Sequence, residues 1–174
     1  YVNKNPKIAE ELQNAALFDL AQLQLVTLYS SSGKYRESEA ILKSINKKSL
    51  APSLLPNYYV SYREFFEHYG ANSYSLEYRN QIGKYRDSLL GVLNPNTLDY
   101  QINKIQQDIF NRKFDKPKKQ LLTLLEKTKE ESPQYAMITY LLGKIAEATH
   151  DLESRKKYYA LSATSDIKNA NKDN

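Results

Sequence analysis

A recurring turn constrains this chain more than any other feature. Short turn signals centred near Gly33, Gly70, Lys113 and His150 interrupt it at intervals of 37, 43 and 37 residues. Between them, apolar side chains return every three or four positions, the spacing of a helix face. Runs that alternate apolar with polar residues, as a half-buried strand requires, are few. Chains punctuated in this way fold as antiparallel helical hairpins. A lone hairpin leaves one apolar face uncovered, so the units must stack.

The best-formed unit is Ser132 to Lys168. Ser132 is suited to cap a helix, because its hydroxyl can accept from a free amide of the first turn. Pro133 follows at the first helical position, where a missing N–H costs nothing. Met137, Tyr140, Leu141, Ile145 and Ala148 then recur at helical spacing, widened by Leu142 and Ala146. Gly143 falls in mid-helix at a cost of about 1 kcal/mol against alanine. Close approach of a neighbouring helix is the expected compensation. The chain turns at His150, Asp151 is placed to cap the next helix, and Leu152, Tyr158, Tyr159, Leu161 and Ser162 form its seam.

The order Leu142-Gly143, Ala146, turn, Tyr159, Ser162 resembles the tetratricopeptide repeat (TPR), a pair of helices in about 34 residues. Leu25, Tyr29, Gly33, Tyr35, Ala40 and Leu42 resemble it again, with the family's turn glycine. The last copy departs from the pattern: Arg155 stands where the family prefers alanine, and no proline closes the unit.

Taken in order, residues 1–13 read as the second helix of a preceding unit, with Pro6 a kink or a start. Residues 15–31 read as a helix with Leu17, Leu20, Ala21, Gln24 or Leu25, and Leu28 on one side. Tyr35 to Ile45 is its partner. Residues 46–53 read as a linker, since Pro52 and Pro56 disfavour helix just before them. Tyr58 to Tyr69 is a strongly aromatic helix, a turn runs from Gly70 to Ser73, and residues 74–93 suit one long helix. After Asn94-Pro95-Asn96, the residues Leu98, Ile102, Ile105, Ile109 and Phe110 form the next face. Arg112 to Phe114 is a turn, with Asp115 expected to cap the helix of Leu121, Leu122, Leu124 and Leu125. The expected fold is all-α: hairpins at roughly 15–46, 54–93, 97–130 and 132–168, stacked as an irregular TPR-like solenoid of about eight to nine helices. Residues 1–174 are read as a single domain, a fragment of a longer protein.

The core of such a chain is unusual in kind, with 15 Tyr against no Trp and one Met. A tyrosine buries a large ring while its hydroxyl needs water or a partner. That suits thin layers whose side chains reach a surface. The chain has no Cys, which excludes disulfides, thiolate metal sites and a cysteine nucleophile. No run approaches the roughly 18 apolar residues of a membrane helix, and no signal peptide is present in it. Net charge is +5, mild enough for a solvated surface of mixed sign.

Nothing in the sequence is arranged for catalysis. His68 and His150, the two histidines, lack partners at metal-ligand spacing. Glu10-Glu11 and Glu130-Glu131 lie on polar faces, whereas general acid–base work needs a buried group of shifted pKa. No glycine-rich phosphate loop occurs. No catalytic residue, metal or cofactor is therefore expected.

The aromatic stripe Tyr58, Tyr62, Phe65, Phe66 and Tyr69 has two readings: core between helices, or lining of a binding groove. In the family that the repeats resemble, the first helix of each unit faces the concave groove. Carried over, that implies Leu23 and Thr27, Tyr58 and Tyr62, Tyr100, Asn103 and Gln107, and Tyr140 and Lys144 as partner-facing positions. The surface would be aromatic, amide-rich and nearly neutral. It suits an extended peptide or protein, with a glycan chain as the second option. The basic clusters Arg112 to Lys119 and Arg155 to Lys157 hold one ring apart from the seam tyrosines, Phe114. Single-strand nucleic-acid binding wants bases stacked on aromatics beside such charge.

A further resemblance rests on YVNKNPKIAEEL at the start, GKYRESEAIL at Gly33–Leu42 and YYALSATSDIKNANKDN at Tyr158–Asn174. These runs look like the helical-repeat sensor portion of membrane-anchored transcriptional regulators of anaerobic gut bacteria. There a signal peptide precedes the repeats, and a membrane helix and a DNA-binding region follow. The resemblance implies a non-catalytic ligand- or partner-sensing module outside the cytoplasm, in the periplasm. The alternatives are a cytoplasmic module and a nucleic-acid-binding helical domain.

Overall fold

The computed structural model describes residues 6–70 and 76–170. These residues form eight α-helices, two short 3-10 turns (Lys47–Ser49 and Pro52–Leu54) and no strand. The chain divides into two compact units, Tyr1–Thr97 and Leu98–Asn174.

In the first unit, α1 (Pro6–Ser31) pairs with α2 (Tyr35–Ser44), and α3 (Leu55–Tyr69) pairs with α4 (Leu76–Val92). The second hairpin stacks on the first, because α3 packs against both α1 and α2. In the second unit, α5 (Leu98–Phe110) is followed by α6 (Asp115–Lys127), and α7 (Pro133–Ala148) pairs with α8 (Leu152–Ala170). Helix α7 touches α5, α6 and α8, and nine of its residues are buried. It is the centre of this unit.

Three of the turns share one construction. Gly33, Arg112 and His150 adopt left-handed backbone, with φ of 76°, 60° and 59°. Each donates its N–H to the carbonyl three residues back, Gly33 to Ser30, Arg112 to Ile109 and His150 to Glu147. The next residue donates to the carbonyl five back: Lys34 to Tyr29 at 2.8 Å, Lys113 to Asp108 at 2.9 Å and Asp151 to Ala146 at 2.9 Å. This is the Schellman motif, which satisfies the last carbonyls of a helix and reverses the chain. Glycine reaches that backbone without penalty; Arg112 and His150 reach it against the steric preference of L-residues.

The caps follow the sequence at two sites and depart from it at a third. Ser132 Oγ accepts from the Tyr135 N–H, and Asp151 Oδ1 accepts from the Ser154 N–H. Asp115, expected as a cap, is instead the first residue of α6, and Phe114 stands at the cap position without a side-chain bond. The ring explains the shift: Phe114 packs on the apolar cluster of this unit, which draws the chain into helix one residue later. The Asp115 carboxylate still lies in the first turn, where the helix dipole favours an anion.

Two further expectations are corrected at the start of the chain. No separate leading helix ends near residue 13, because α1 runs unbroken from Pro6. No glycine or proline follows Pro6 within it, and Pro6 itself occupies the tolerated first position. Nor does the stripe Leu17 to Leu28 face the core, since both residues are 57% exposed while Leu23, Val26 and Ser30 are buried. This segment is apolar around most of its circumference, so periodicity could not choose its inner face. Contact with α2 and α3 does. The stretch 46–53, read as a linker, is more than that, because Leu50 joins Leu54 in the core.

The unit cores are separate in composition. The first holds Leu23, Leu54, Tyr58, Tyr59 and Leu89, continued by Val26, Leu42 and Phe65. The second holds Ile102, Ile105, Leu121, Ile138, Leu142 and Ile145. Buried serines pin the helices together. Ser38 Oγ donates to the Val26 carbonyl at 3.2 Å, Ser61 Oγ to that of Leu23 at 3.1 Å, and Ser162 Oγ to that of Ala136 at 2.8 Å. A helical carbonyl has a second lone pair for such a bond, and a small side chain lets the helices approach closely enough to form it.

Candidate functional site

Two of the expected groove residues are packing residues. Tyr58 is 9% exposed and belongs to the core of the first unit. Its ring meets Tyr62 edge-on at 4.9 Å. Tyr62 stacks on Tyr85 at 4.6 Å and donates its hydroxyl to the Leu42 carbonyl at 3.4 Å. The physical reason is the arrival of α4. Tyr85 supplies a flat partner for Tyr62, and the pair is shut away from solvent. Burial, and then a hydrogen bond with Tyr62, pushes the Tyr58 hydroxyl up to about 12. Leu23, also expected in the groove, is buried.

The other five positions lie in the second unit, on α5 and α7. Tyr100, Asn103 and Gln107 are spaced three and four apart, so one face of α5 carries them. All three are half-buried. The Asn103 side-chain amide donates to the Asp99 carbonyl at 2.8 Å, and Lys104 Nζ donates to Gln107 Oε1 at 2.9 Å. On α7, Met137, Tyr140, Lys144 and Glu147 follow one another at steps of three and four and all face solvent. Their neighbours Ile138, Thr139, Leu141, Leu142, Gly143, Ile145 and Ala146 are buried. The two helices meet at this face, where Gln106 Nε2 donates to Met137 Sδ at 3.6 Å.

Tyr140 is 44% exposed, the Lys144 ammonium lies 5.9 Å from its ring centroid, and Tyr159 of α8 flanks it at 5.9 Å. Tyr159 in turn donates its hydroxyl to Glu147 Oε2 at 2.6 Å. That hydrogen bond, with Lys144 and Arg155 adding their charges, holds the Glu147 carboxyl below its usual range. Burial and the same carboxylate push the Tyr159 hydroxyl up. The face therefore presents a sulfur, an aromatic ring, a cation and an anion in sequence along α7. It can grip an extended chain by apolar contact and by charges of both signs.

Sequence reasoning missed Met137 and Glu147 as members of this face. Extending the helical step from Tyr140 and Lys144 in both directions would have found them. It also missed an open cleft of about 810 Å³ in the first unit, because Tyr35, Tyr69 and Tyr78, which line it, come from three helices. No spacing along the chain relates them.

Among the described residues, no group of His, Cys, Asp and Glu side chains could hold a metal ion, and no helix is long and apolar enough to cross a membrane. No match to the chain was found among curated proteins or among solved structures. One family model, described as the SusR N-terminal TPR domain, matches residues 1–174. TPR domains generally mediate protein binding and are generally non-catalytic, which agrees with a face built for contact. With antiparallel hairpins through both units and a match along the whole length, the chain belongs to the family of SusR N-terminal TPR domains.

Proposed function

We propose that this domain is the sensing module of a SusR-type transcriptional regulator and binds a peptide or protein segment on the α5–α7 face. The observation that carries the reading is the solvent-facing stripe of α7. Met137, Tyr140 and Lys144 are presented to solvent by the most buried helix of the unit. Because α7 is fixed on three sides, its outer stripe is preorganised, and binding there costs little ordering entropy. Tyr100, Asn103 and Gln107 extend the contact surface along α5. Tyr140 is the anchor, since an aromatic ring supplies much area at small entropic cost. Lys144 and Glu147 set the register of a charged ligand. A regulator's sensor of this type works outside the cytoplasm, in the periplasm, and its output region lies elsewhere in the parent protein.

The test is selection of a displayed peptide library on residues 1–174, followed by titration of the selected peptides. Replacing Tyr140 and Lys144 together with Ala is expected to weaken them about tenfold or more. Equal affinity for the parent and the double variant would remove the α7 face as the site. Micromolar binding of single-stranded DNA or RNA with a steep salt dependence would overturn the sensing role itself.

A further inference from the structure

The first unit contains a cavity that the partner-binding face does not use. Its floor and walls are the rings of Tyr35 from α2, Phe65, Phe66 and Tyr69 from α3, and Tyr78 from α4. Its volume, about 810 Å³, falls within the range of small-ligand sites. Most rings in it already cover one another. Tyr35 meets Tyr69 edge-on at 5.2 Å, Tyr69 meets Tyr78 edge-on at 5.4 Å, and Phe65 stacks on Tyr69 at 5.6 Å. The Tyr35 hydroxyl donates to the His68 carbonyl, which fixes that ring against the end of α3. With faces occupied in this way, the cavity offers an apolar hollow rather than flat platforms for stacking a base or a sugar ring.

The mouth is charged. Lys34 and Arg36 stand on it with Glu37 and Glu39. Glu39 is held by Lys43 at 2.8 Å, one helical turn further on. Its charge is thereby largely balanced, and Lys34 and Arg36 outweigh Glu37 at the opening. An apolar hollow beneath a mouth of net positive charge is complementary to an apolar side chain flanked by carboxylates.

We propose that this cleft is a second binding site, which takes an acidic peptide by burying one aromatic side chain among Tyr35, Phe65, Phe66, Tyr69 and Tyr78. The site is independent of the α7 face. The two are told apart by which variant abolishes binding.

The probe is a fluorescein-labelled peptide, Gly-Ser-Asp-Phe-Asp-Ser-Gly, titrated with residues 1–174 and read by anisotropy. Two controls replace its Phe with Ala or both Asp with Lys. Saturable binding of the first peptide is expected, with a Kd of the order of 100 µM. Both controls should bind at least about tenfold more weakly. Tyr69, 47% exposed, is a safe truncation, and Tyr69→Ala should weaken the parent peptide about tenfold with the helical spectrum unchanged. Arg36→Glu, a surface charge reversal, should weaken the Asp peptide and strengthen the Lys peptide. Tyr140→Ala should change neither. No saturation by about 2 mM, a weaker interaction than most specific contacts, would overturn the proposal. So would equal binding of the Ala control, or indifference to Arg36→Glu. Displacement of the probe by an uncharged oligosaccharide or by a single-stranded oligonucleotide would assign the cleft to another chemistry and overturn it as well.

Discussion

Tyr159 of α8 lies across Gly143 of α7. A methyl group at residue 143 would stand 2.5 Å from the Tyr159 ring carbon Cδ1, nearer than two carbon atoms approach without strain. The ring cannot easily swing away, because its hydroxyl is held by Glu147. Gly143 is thus the position at which the two helices of the last hairpin come closest. Gly143→Ala should lower stability by about 1–2 kcal/mol, as overpacking outweighs the gain of about 1 kcal/mol in helix propensity. The measurement is a shift in urea midpoint at unchanged slope. In a Tyr159→Ala background the sign should reverse, since the clash is gone and only propensity remains. Destabilisation of the same size in both backgrounds would show that the ring is not the cause.

The left-handed turn residues allow a second comparison. His150 occupies backbone with φ of 59° that Gly33 adopts freely at 76°. His150→Gly should therefore stabilise the fold by up to about 1 kcal/mol, and Gly33→Ala should destabilise it by about 1 kcal/mol. His150 is exposed, so no packing is lost with its side chain. Thermal midpoints of the two variants should move in opposite directions. Movement in the same direction would sink the shared-motif explanation.

What could be read in the sequence was whatever is local. Ser132, Gly33 and Asp151 act within a turn of their own positions, and each does what its chemistry predicts. Gly143 was readable for a different reason: a costly residue in mid-helix announces a neighbour, and Tyr159 is that neighbour. The inner face of α1 was not readable. Leu17, Phe18, Leu23, Val26 and Leu28 surround the helix, and only the arrival of α2 and α3 selects among them. The fate of Tyr62 was hidden for the same reason, since the ring that stacks on it lies 23 residues further along at Tyr85. Tyr140 and Lys144, by contrast, reach solvent on a helix whose other faces are strongly apolar, so their exposure followed from the pattern.

The tyrosine-rich core predicts a specific response to alkali. An ordinary tyrosine ionises near pH 10. Burial raises Tyr62, Tyr85 and Tyr135 above that and pushes Tyr58 up to about 12. A raised pKa in the folded state means that the folded chain holds those protons more tightly than the unfolded chain does. The associated stability is complete below about pH 10 and is lost as pH rises toward 12. Tyrosinate absorbance should therefore rise in two phases, first from exposed rings and then from the core. The second phase should coincide with loss of helical circular dichroism. A single titration near pH 10 with the helix intact would mean that the core hydroxyls are solvated.

Tyr62 and Tyr140 separate packing from contact. Tyr62 stacks on Tyr85, touches Tyr58 and donates to the Leu42 carbonyl, so Tyr62→Ala removes a ring from a filled space. The cost should be about 3–5 kcal/mol, the range for truncating a buried aromatic. Tyr140 has one ring neighbour, Tyr159, and a lysine beside it, with nearly half its surface in water. Tyr140→Ala should change stability by less than about 1 kcal/mol while weakening peptide binding. Both variants can be followed by chemical denaturation with the same tyrosine and helix signals. If Tyr140→Ala proves as destabilising as Tyr62→Ala, its ring is structural and the α7 face loses its anchor. If Tyr62→Ala is silent, the aromatic stack on α3 and α4 contributes little to the fold, and Tyr62 returns as a candidate contact residue.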